Sequence, residues 1–155
     1  MRLILLAAGT RLPRWVDEGV QEYARRFGRD HPLELHEIAL GRRTGGDPRQ
    51  AVAKEGARML AVMPPGAYVV ALQVDGRALS SEQLAQFLDS RMHDTRDIVF
   101  CIGGPDGLAP EVDARARMKW SLSALTLPHA LARVIAAEAL YRAVSIIKGH
   151  PYHRA

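Results

Sequence analysis

Residues 98–107 read IVFCIGGPDG, five apolar residues followed directly by a glycine-rich turn. A continuous apolar run of this length predicts a strand that is buried on both faces and is central in a parallel sheet. Ligands bind at the carboxyl ends of strands in such sheets, and glycine lets them approach the peptide groups closely. The turn is therefore a candidate binding site, although a tight strand-to-helix turn without a ligand would use similar residues. Its spacing matches neither the dinucleotide-binding motif nor the P-loop.

On both sides of this stretch, strand-like and helix-like segments alternate, which is typical of an α/β domain with a largely parallel sheet. The apolar patterns predict strands at residues 2–8, 33–40, 67–74, 98–102 and 121–127. Helical spacing and capping signals predict helices at about residues 15–27, 48–63, 80–92 and 131–147. We find no linker or internal repeat, so we expect a single domain over residues 1–155.

Local signals set several boundaries of these elements. Asp47 is expected to be the N-cap of the second helix, with Pro48 as its first residue. Ser80 with Gln83 resembles a capping box, and the Asp75-Gly76 pair is expected to turn the chain after the third strand. In the last helix, Leu131 is expected to face the core.

The composition is that of an ordinary globular protein, with 48% hydrophobic and 25% charged residues. A net charge of +4 is mild and does not by itself identify a nucleic-acid binder. The basic residues are nearly all arginine, which suits phosphate recognition but would also follow from a GC-rich genome. The single Cys101 excludes a disulfide within the chain and suits a reducing cytoplasm. No zinc-ligand spacing and no apolar run of roughly 20 residues is present, so we expect neither a metal nor a membrane span.

Residues 121–129 read SLSALTLPH and form a second candidate ligand surface. Small and aliphatic side chains alternate with hydroxyls, which can form an apolar slot with accessible backbone groups, as an adenine ring requires. An ordinary buried strand is the alternative. His129 follows Pro128 at the start of the long helix, where an incidental or capping histidine is the alternative to a catalytic one.

The chain ends with a stacking ring, an imidazole and a guanidinium, at Tyr152, His153 and Arg154. These groups together suit an unpaired nucleotide, whereas a frayed terminus is the alternative. In the preceding helix, Arg133, Glu138 and Arg142 fall at polar spacings, and the last two are expected to form an i,i+4 pair.

The segments IGGPDGL (102–108), WSLSALTLPH (120–129) and HPYHR (150–154) occur in this order near the C-terminus. Their combination closely resembles the RlmH family, small SPOUT-class methyltransferases that modify N3 of a pseudouridine in large-subunit ribosomal RNA. The resemblance covers nearly the whole chain. It includes Gly9-Thr10, Trp15-Val16, Lys54-Glu55-Gly56 and residues 138–142.

The resemblance implies an α/β sheet flanked by helices, with a C-terminal trefoil knot as an exception to the un-knotted rule. It also implies a homodimer that binds S-adenosylmethionine in the loops of the knot, and the single cysteine places this enzyme in the cytoplasm as an expectation. Some relatives are expected to carry an acidic residue at position 73, where this chain has glutamine. The cofactor contacts carried over are Leu72, Gln73, Gly103, Gly104, Ser123, Ala124, Leu125, Thr126, Leu127 and Pro128.

The active site implied by the resemblance is composite, with the tail of one subunit reaching the cofactor of the other. Arg142 and Arg154 would hold phosphate or the developing imide charge, and Tyr152 would stack on or orient the base. His129 or His153 would assist proton removal, with water as the alternative acceptor. The resemblance implies ribosomal RNA in the assembled ribosome as the substrate. A charge of +4, which gives little electrostatic footprint on naked RNA, is compatible with such a substrate.

Two other functions are compatible with parts of this sequence. A non-catalytic ribosome-binding protein would bind RNA without a cofactor, and would have no need of residues 103–107 and 123–128. A SPOUT enzyme acting on transfer RNA would bind the cofactor but use a different acceptor. The absence of an appended RNA-binding domain and the presence of the tail argue against the second.

Overall fold

The computed structural model describes residues 1–43, 45–94 and 96–154, without the side chains of His153 and Arg154. Its five strands are β1 (Leu3–Ala8), β2 (Leu33–Ile38), β3 (Tyr68–Ala78), β4 (Ile98–Ile102) and β5 (Met118–Ser121). They form one sheet in the order β2-β1-β4-β3-β5, and every pairing between neighbours is parallel. All residues of β4 are buried, which confirms the predicted central strand.

Five α-helices cover the two faces of the sheet: α1 (Arg14–Ala24), α2 (Arg49–Val62), α3 (Ser81–Arg91), α4 (Pro110–Arg115) and α5 (His129–Ile147). Helices α1, α3 and α5 pack on one face around Phe100 and Leu140. Helices α2 and α4 pack on the other face around Val99 and Met59. The α/β class with a parallel sheet flanked by helices is therefore confirmed. Within the described ranges, no helix is both long and apolar enough to cross a membrane.

The capping signals are largely confirmed. The backbone N–H of Gln83 donates to Ser80 Oγ (3.1 Å), and the backbone N–H of Ser80 donates to Gln83 Oε1 (2.9 Å), which completes the predicted capping box. Helix α2 begins one residue later than expected, at Arg49. Asp47 still serves its first turn, because its carboxylate accepts from the backbone N–H of Arg49 (3.0 Å).

The prediction of a strand at residues 121–127 was wrong. The strand is β5, which ends at Ser121, and the chain beyond it is irregular. Ser121 Oγ donates to the carbonyl of Ser123 (3.0 Å), and Ser123 Oγ accepts from the N–H of Leu125 (2.9 Å). Serine hydroxyls that bond to nearby backbone in this way compete with strand pairing, which explains why the segment forms a loop.

Two further expectations were also wrong, and one helix was not predicted. The Asp75-Gly76 pair does not end β3, which continues to Ala78 across a shift of register against β5. A Cβ at Gly76 would lie 2.9 Å from the backbone of Trp120, so glycine permits this close approach of the strands. Helix α4 was missed because it is short. Leu131 is 39% exposed and does not face the core.

Candidate functional site

Two adjoining cavities open at the carboxyl ends of β3 and β4. Leu72, Gln73, Ser123 and Leu125 line the first, and Leu127 lines both. The second cavity has a volume of about 420 Å³ and is lined by Gly103, Gly104, Thr126, Pro128 and His129, among others. The structure thus brings together every cofactor position carried over by resemblance except Ala124, which is exposed on the same loop.

The glycine turn after β4 folds back on itself. The N–H of Gly107 donates to the carbonyl of Gly104 (3.1 Å), and Gly107 has a φ of +82°. A Cβ at Gly103 would lie 2.5 Å from the carbonyl carbon of Gly107 and 2.7 Å from the nitrogen of Leu108. Glycine is therefore required at position 103, and backbone forms that wall of the second cavity.

The loop after β5 supplies the apolar side of the site. Leu125 is 73% exposed, and Val74, which also lines the first cavity, is exposed as well. Two unburied aliphatic side chains at a cavity mouth can cover an apolar ligand or contact a second protein surface. The loop after β5 forms no strand, so its backbone polar groups are accessible. Together with the two aliphatic side chains, they give the combination of apolar and polar lining expected around an aromatic heterocycle.

Gln73 is held on the side of the first cavity by α4. Its side-chain nitrogen Nε2 donates to Asp113 Oδ1 (2.8 Å), and Asp113 Oδ2 lies 4.0 Å from Lys119 Nζ. The glutamine oxygen therefore remains available as an acceptor, and a carboxylate lies directly behind it. Asp113 was not among the predicted site residues, because α4 was not predicted.

His129 is the first residue of α5 and lines the second cavity, half-buried. Partial burial, together with the positive charge of Arg133 one turn along the helix, holds the pKa of His129 below its ordinary value. The imidazole is therefore neutral at neutral pH and can accept a proton or a hydrogen bond.

Arg133 is the polar residue that sequence reasoning misplaced. Its side chain is 1% exposed, pairs with Glu37 and donates through Nη2 to the carbonyls of Ala8 (3.2 Å) and Gly9 (2.8 Å). It thereby joins the end of β1 and the end of β2 to the first turns of α5. An arginine inside the otherwise apolar run LARVIAA was the available signal of a buried cation.

The tail packs on the C-terminal half of α5, from Glu138 onward. The hydroxyl of Tyr152 donates to Glu138 Oε1 (3.0 Å), which also accepts from Arg142 Nε (2.9 Å) and Nη2 (2.7 Å). The Tyr152 ring packs edge-on against Tyr141, with ring centroids 4.8 Å apart, and the Arg142 guanidinium carbon lies 5.1 Å from its centroid. Burial and the hydrogen bonds around the hydroxyl raise the pKa of Tyr152 well above its ordinary value, so this residue acts as a donor.

The structure therefore places the predicted catalytic residues in two groups. Arg142 and Tyr152 are in contact with each other, whereas His129 lies at the cavities. Tyr152 contacts Glu138, nine residues after His129, which is about 13 Å along the helix axis. The side chains of His153 and Arg154 lie outside the described residues. Across the described ranges, no group of three or more His, Cys, Asp or Glu side chains is arranged to hold a metal ion.

Cavities at the carboxyl ends of parallel strands, lined by a glycine turn and an irregular apolar loop, are typical of α/β proteins that bind a ligand at this edge of the sheet. The family described as predicted SPOUT methyltransferase matches residues 1–153, and the chain belongs to this family. Two relatives, from Alkalilimnicola ehrlichii (strain ATCC BAA-1101 / DSM 17681 / MLHE-1) and Stenotrophomonas maltophilia (strain R551-3), are both named ribosomal RNA large subunit methyltransferase H. Each is 53% identical to this chain over 156 residues, an alignment that covers the whole of both proteins.

Proposed function

We propose that this methyltransferase transfers a methyl group from S-adenosylmethionine to N3 of a pseudouridine in large-subunit ribosomal RNA. The observation that carries the proposal is the pair of cavities at the strand ends, in a chain with full-length similarity to two proteins named for ribosomal RNA methylation. The sequence motifs that line these cavities are those that resemble the pseudouridine-specific family.

The residues of the cavities fit S-adenosylmethionine. Gly103 lines the second cavity and has no room for a side chain, because a Cβ there would collide with the backbone of Gly107 and Leu108, so backbone forms this part of the wall. The 123–128 loop offers apolar side chains and accessible backbone groups for the adenine, and Gln73 offers its amide oxygen. When bound, the sulfonium supplies a methyl group that is electrophilic enough to react without covalent catalysis.

The active site is a composite of two copies in a homodimer. Within one chain, Tyr152 contacts Glu138, which lies about 13 Å along α5 from the cavity residue His129. Arg142 lies about 20 Å along the same axis from His129, so neither Tyr152 nor Arg142 reaches the cavity of its own chain. Exposed Leu125 and Leu131, near the cavities, are apolar surface that a second copy would cover. The C-terminal segment also passes through a loop as a trefoil knot, as the family resemblance implies.

The chain's own residues align the base and control its proton. Arg142 and Arg154 hold phosphate or the negative charge that develops on the imide, and Tyr152 orients the base through its ring and its hydroxyl. His129 is neutral and accepts the imide proton or orients a water that does; His153 is the second candidate. Alignment is the larger contribution, because correct positioning can supply about 7–11 kcal/mol of a barrier.

The substrate is pseudouridine presented by the assembled ribosome in the cytoplasm, and residues 1–155 act as one domain. A net charge of +4 gives few counterion-releasing contacts, so shape and several contact points supply the affinity that charge does not. Transfer of radiolabelled methyl groups to assembled ribosomes, naked ribosomal RNA and transfer RNA tests this directly. Label is expected in the large-subunit RNA of ribosomes that already carry the pseudouridine. Label only in transfer RNA would refute the substrate, and RNA binding without cofactor binding would refute the activity.

A further inference from the structure

The Lys54-Glu55-Gly56 stretch has no part in the proposed chemistry, yet it lies beneath the glycine turn. Glu55, on α2, is 3% exposed, and its Oε2 accepts from the N–H of Gly41 (2.8 Å) and from Arg43 Nη1 (2.7 Å). The Nε of the same arginine donates to Asp106 Oδ2 (2.8 Å), inside the turn. A buried carboxylate is thus connected to the turn through a single guanidinium.

Further contacts join the same turn to α2 and to the segment that precedes it. A Cβ at Gly104 would lie 2.9 Å from Leu40 Cδ2 and 3.6 Å from Glu55 Oε1, so both side chains back the turn directly. A Cβ at Gly56 would overlap Ala109, which follows the turn and precedes α4. The centre of the glycine turn is therefore backed by Leu40, which precedes α2, and by Glu55 of α2, and the segment at the exit of the turn packs on α2 at Gly56.

The turn depends on such external contacts. Pro105 and Asp106 are the only side chains between Gly103 and Gly107, and residues 105–107 are exposed. Glycine loses more conformational freedom on ordering than any other residue, and an exposed segment with few apolar contacts opens readily. An exposed ion pair alone would contribute little, but here the arginine is itself fixed by a buried partner and by the carbonyl of Gly41 (3.0 Å).

We infer that Arg43 is a positioning residue for the methyl donor: its simultaneous bonds to Glu55 and Asp106 hold the glycine turn in the shape that receives the cofactor. The inference rests on the proposed function, because the ligand whose affinity it sets is S-adenosylmethionine. Arg43 acts through the backbone of the turn, and its loss lowers cofactor affinity without removing a cofactor contact.

A double-mutant cycle measured on ligand binding tests the inference. The dissociation constant of S-adenosylmethionine is measured by calorimetry for the wild type, Arg43→Gln, Asp106→Ala and the double variant. We expect each single substitution to raise the dissociation constant about fivefold. The double variant should also raise it by no more than about fivefold, because the two substitutions remove the same connection. Two independent effects would multiply to about 25-fold, and that result, like unchanged affinity, would overturn the inference.

The Arg91–Asp94 pair provides the matched control. Its side chains are 26% and 33% exposed, close to the 27% and 38% of Arg43 and Asp106, and it lies beside Tyr68 at the amino end of β3. Arg91→Gln and Asp94→Ala should leave the dissociation constant unchanged. Weakening of similar size in these variants would mean a general loss of stability and would contradict a positioning role.

Hydrogen exchange at the Gly107 amide gives a measurement that needs no cofactor. This amide donates to Gly104 inside the turn, and Asp106→Ala should increase its exchange rate. Unchanged exchange in a folded variant would overturn the anchoring itself. If the wild type did not bind S-adenosylmethionine, the proposed function would be refuted. The exchange measurement would still show whether Arg43 and Asp106 hold the turn, because it needs no cofactor.

Discussion

Replacing Gly103 with alanine should damage methyl transfer far more than it damages the fold. The new Cβ would lie 2.5 Å from the carbonyl carbon of Gly107, 2.7 Å from the nitrogen of Leu108 and 2.8 Å from the oxygen of Gly107. All three are backbone atoms of the turn, so no side chain can rotate away and the turn itself must move by about 1 Å. A displacement of that size near reacting groups can reduce a rate about 100-fold.

The stability cost of Gly103→Ala is expected to be about 1–3 kcal/mol, as for other insertions of a methyl group into filled space. Gly66→Ala is the control, because Gly66 has a φ of +73° with no atom within 4 Å of the added Cβ. Its cost is backbone strain of about 1 kcal/mol, away from the site. Denaturant unfolding, cofactor calorimetry and single-turnover transfer are measured on both variants. Wild-type affinity and rate in Gly103→Ala would refute the placement of the methyl donor against this turn.

Deletion of residues 150–155 should abolish methyl transfer in a single-turnover assay and leave the cofactor affinity, measured by calorimetry, largely intact. Tyr152→Phe should lower the rate of transfer and not the cofactor affinity, because it removes the hydrogen bond to Glu138 (3.0 Å). Full activity of the deletion variant would contradict a composite site. Because burial and Arg133 lower the pKa of His129, the imidazole should take up its proton below pH 6.5. The acid limb of the pH–rate profile should lie in the same pH range and should disappear in His129→Asn. The unfolded chain takes up that proton first, so stability should also decline as pH falls through this range, and an unchanged profile in the variant would exclude His129 as the proton acceptor. Arg133→Met should lower the free energy of unfolding by about 3 kcal/mol, since it leaves two backbone carbonyls without their buried donor; a loss below about 1 kcal/mol by denaturant unfolding would contradict this.

The architecture was largely predictable because its signals are local and agree with one another. The unbroken apolar run at residues 98–102 indicated a central strand, and Ser80 with Gln83 indicated the start of a helix. The strand predicted at residues 121–127 failed for a local reason as well. Its serines form hydrogen bonds with nearby backbone, and an apolar pattern alone does not distinguish a strand from a loop of this kind.

The site was less predictable, since its parts are joined over long distances in the sequence. Arg133 and Glu37 are 96 residues apart, and Arg43 and Asp106 are 63 apart, so spacing gave no sign of either connection. The cofactor positions came from motif resemblance, and the geometry adds that they adjoin in space. The i,i+4 spacing predicted the pairing of Glu138 with Arg142, and the structure adds Tyr152 to this pair.

Mass spectrometry of nucleosides from methylated ribosomes tests the central claim most directly. Ribosomes that carry the pseudouridine are incubated with the protein and S-adenosylmethionine bearing a deuterated methyl group, and the RNA of each subunit is digested separately. The expected product is a single deuterated N3-methylpseudouridine, in large-subunit RNA only. Deuterium on another base, or in transfer RNA instead of the ribosome, would contradict the claim.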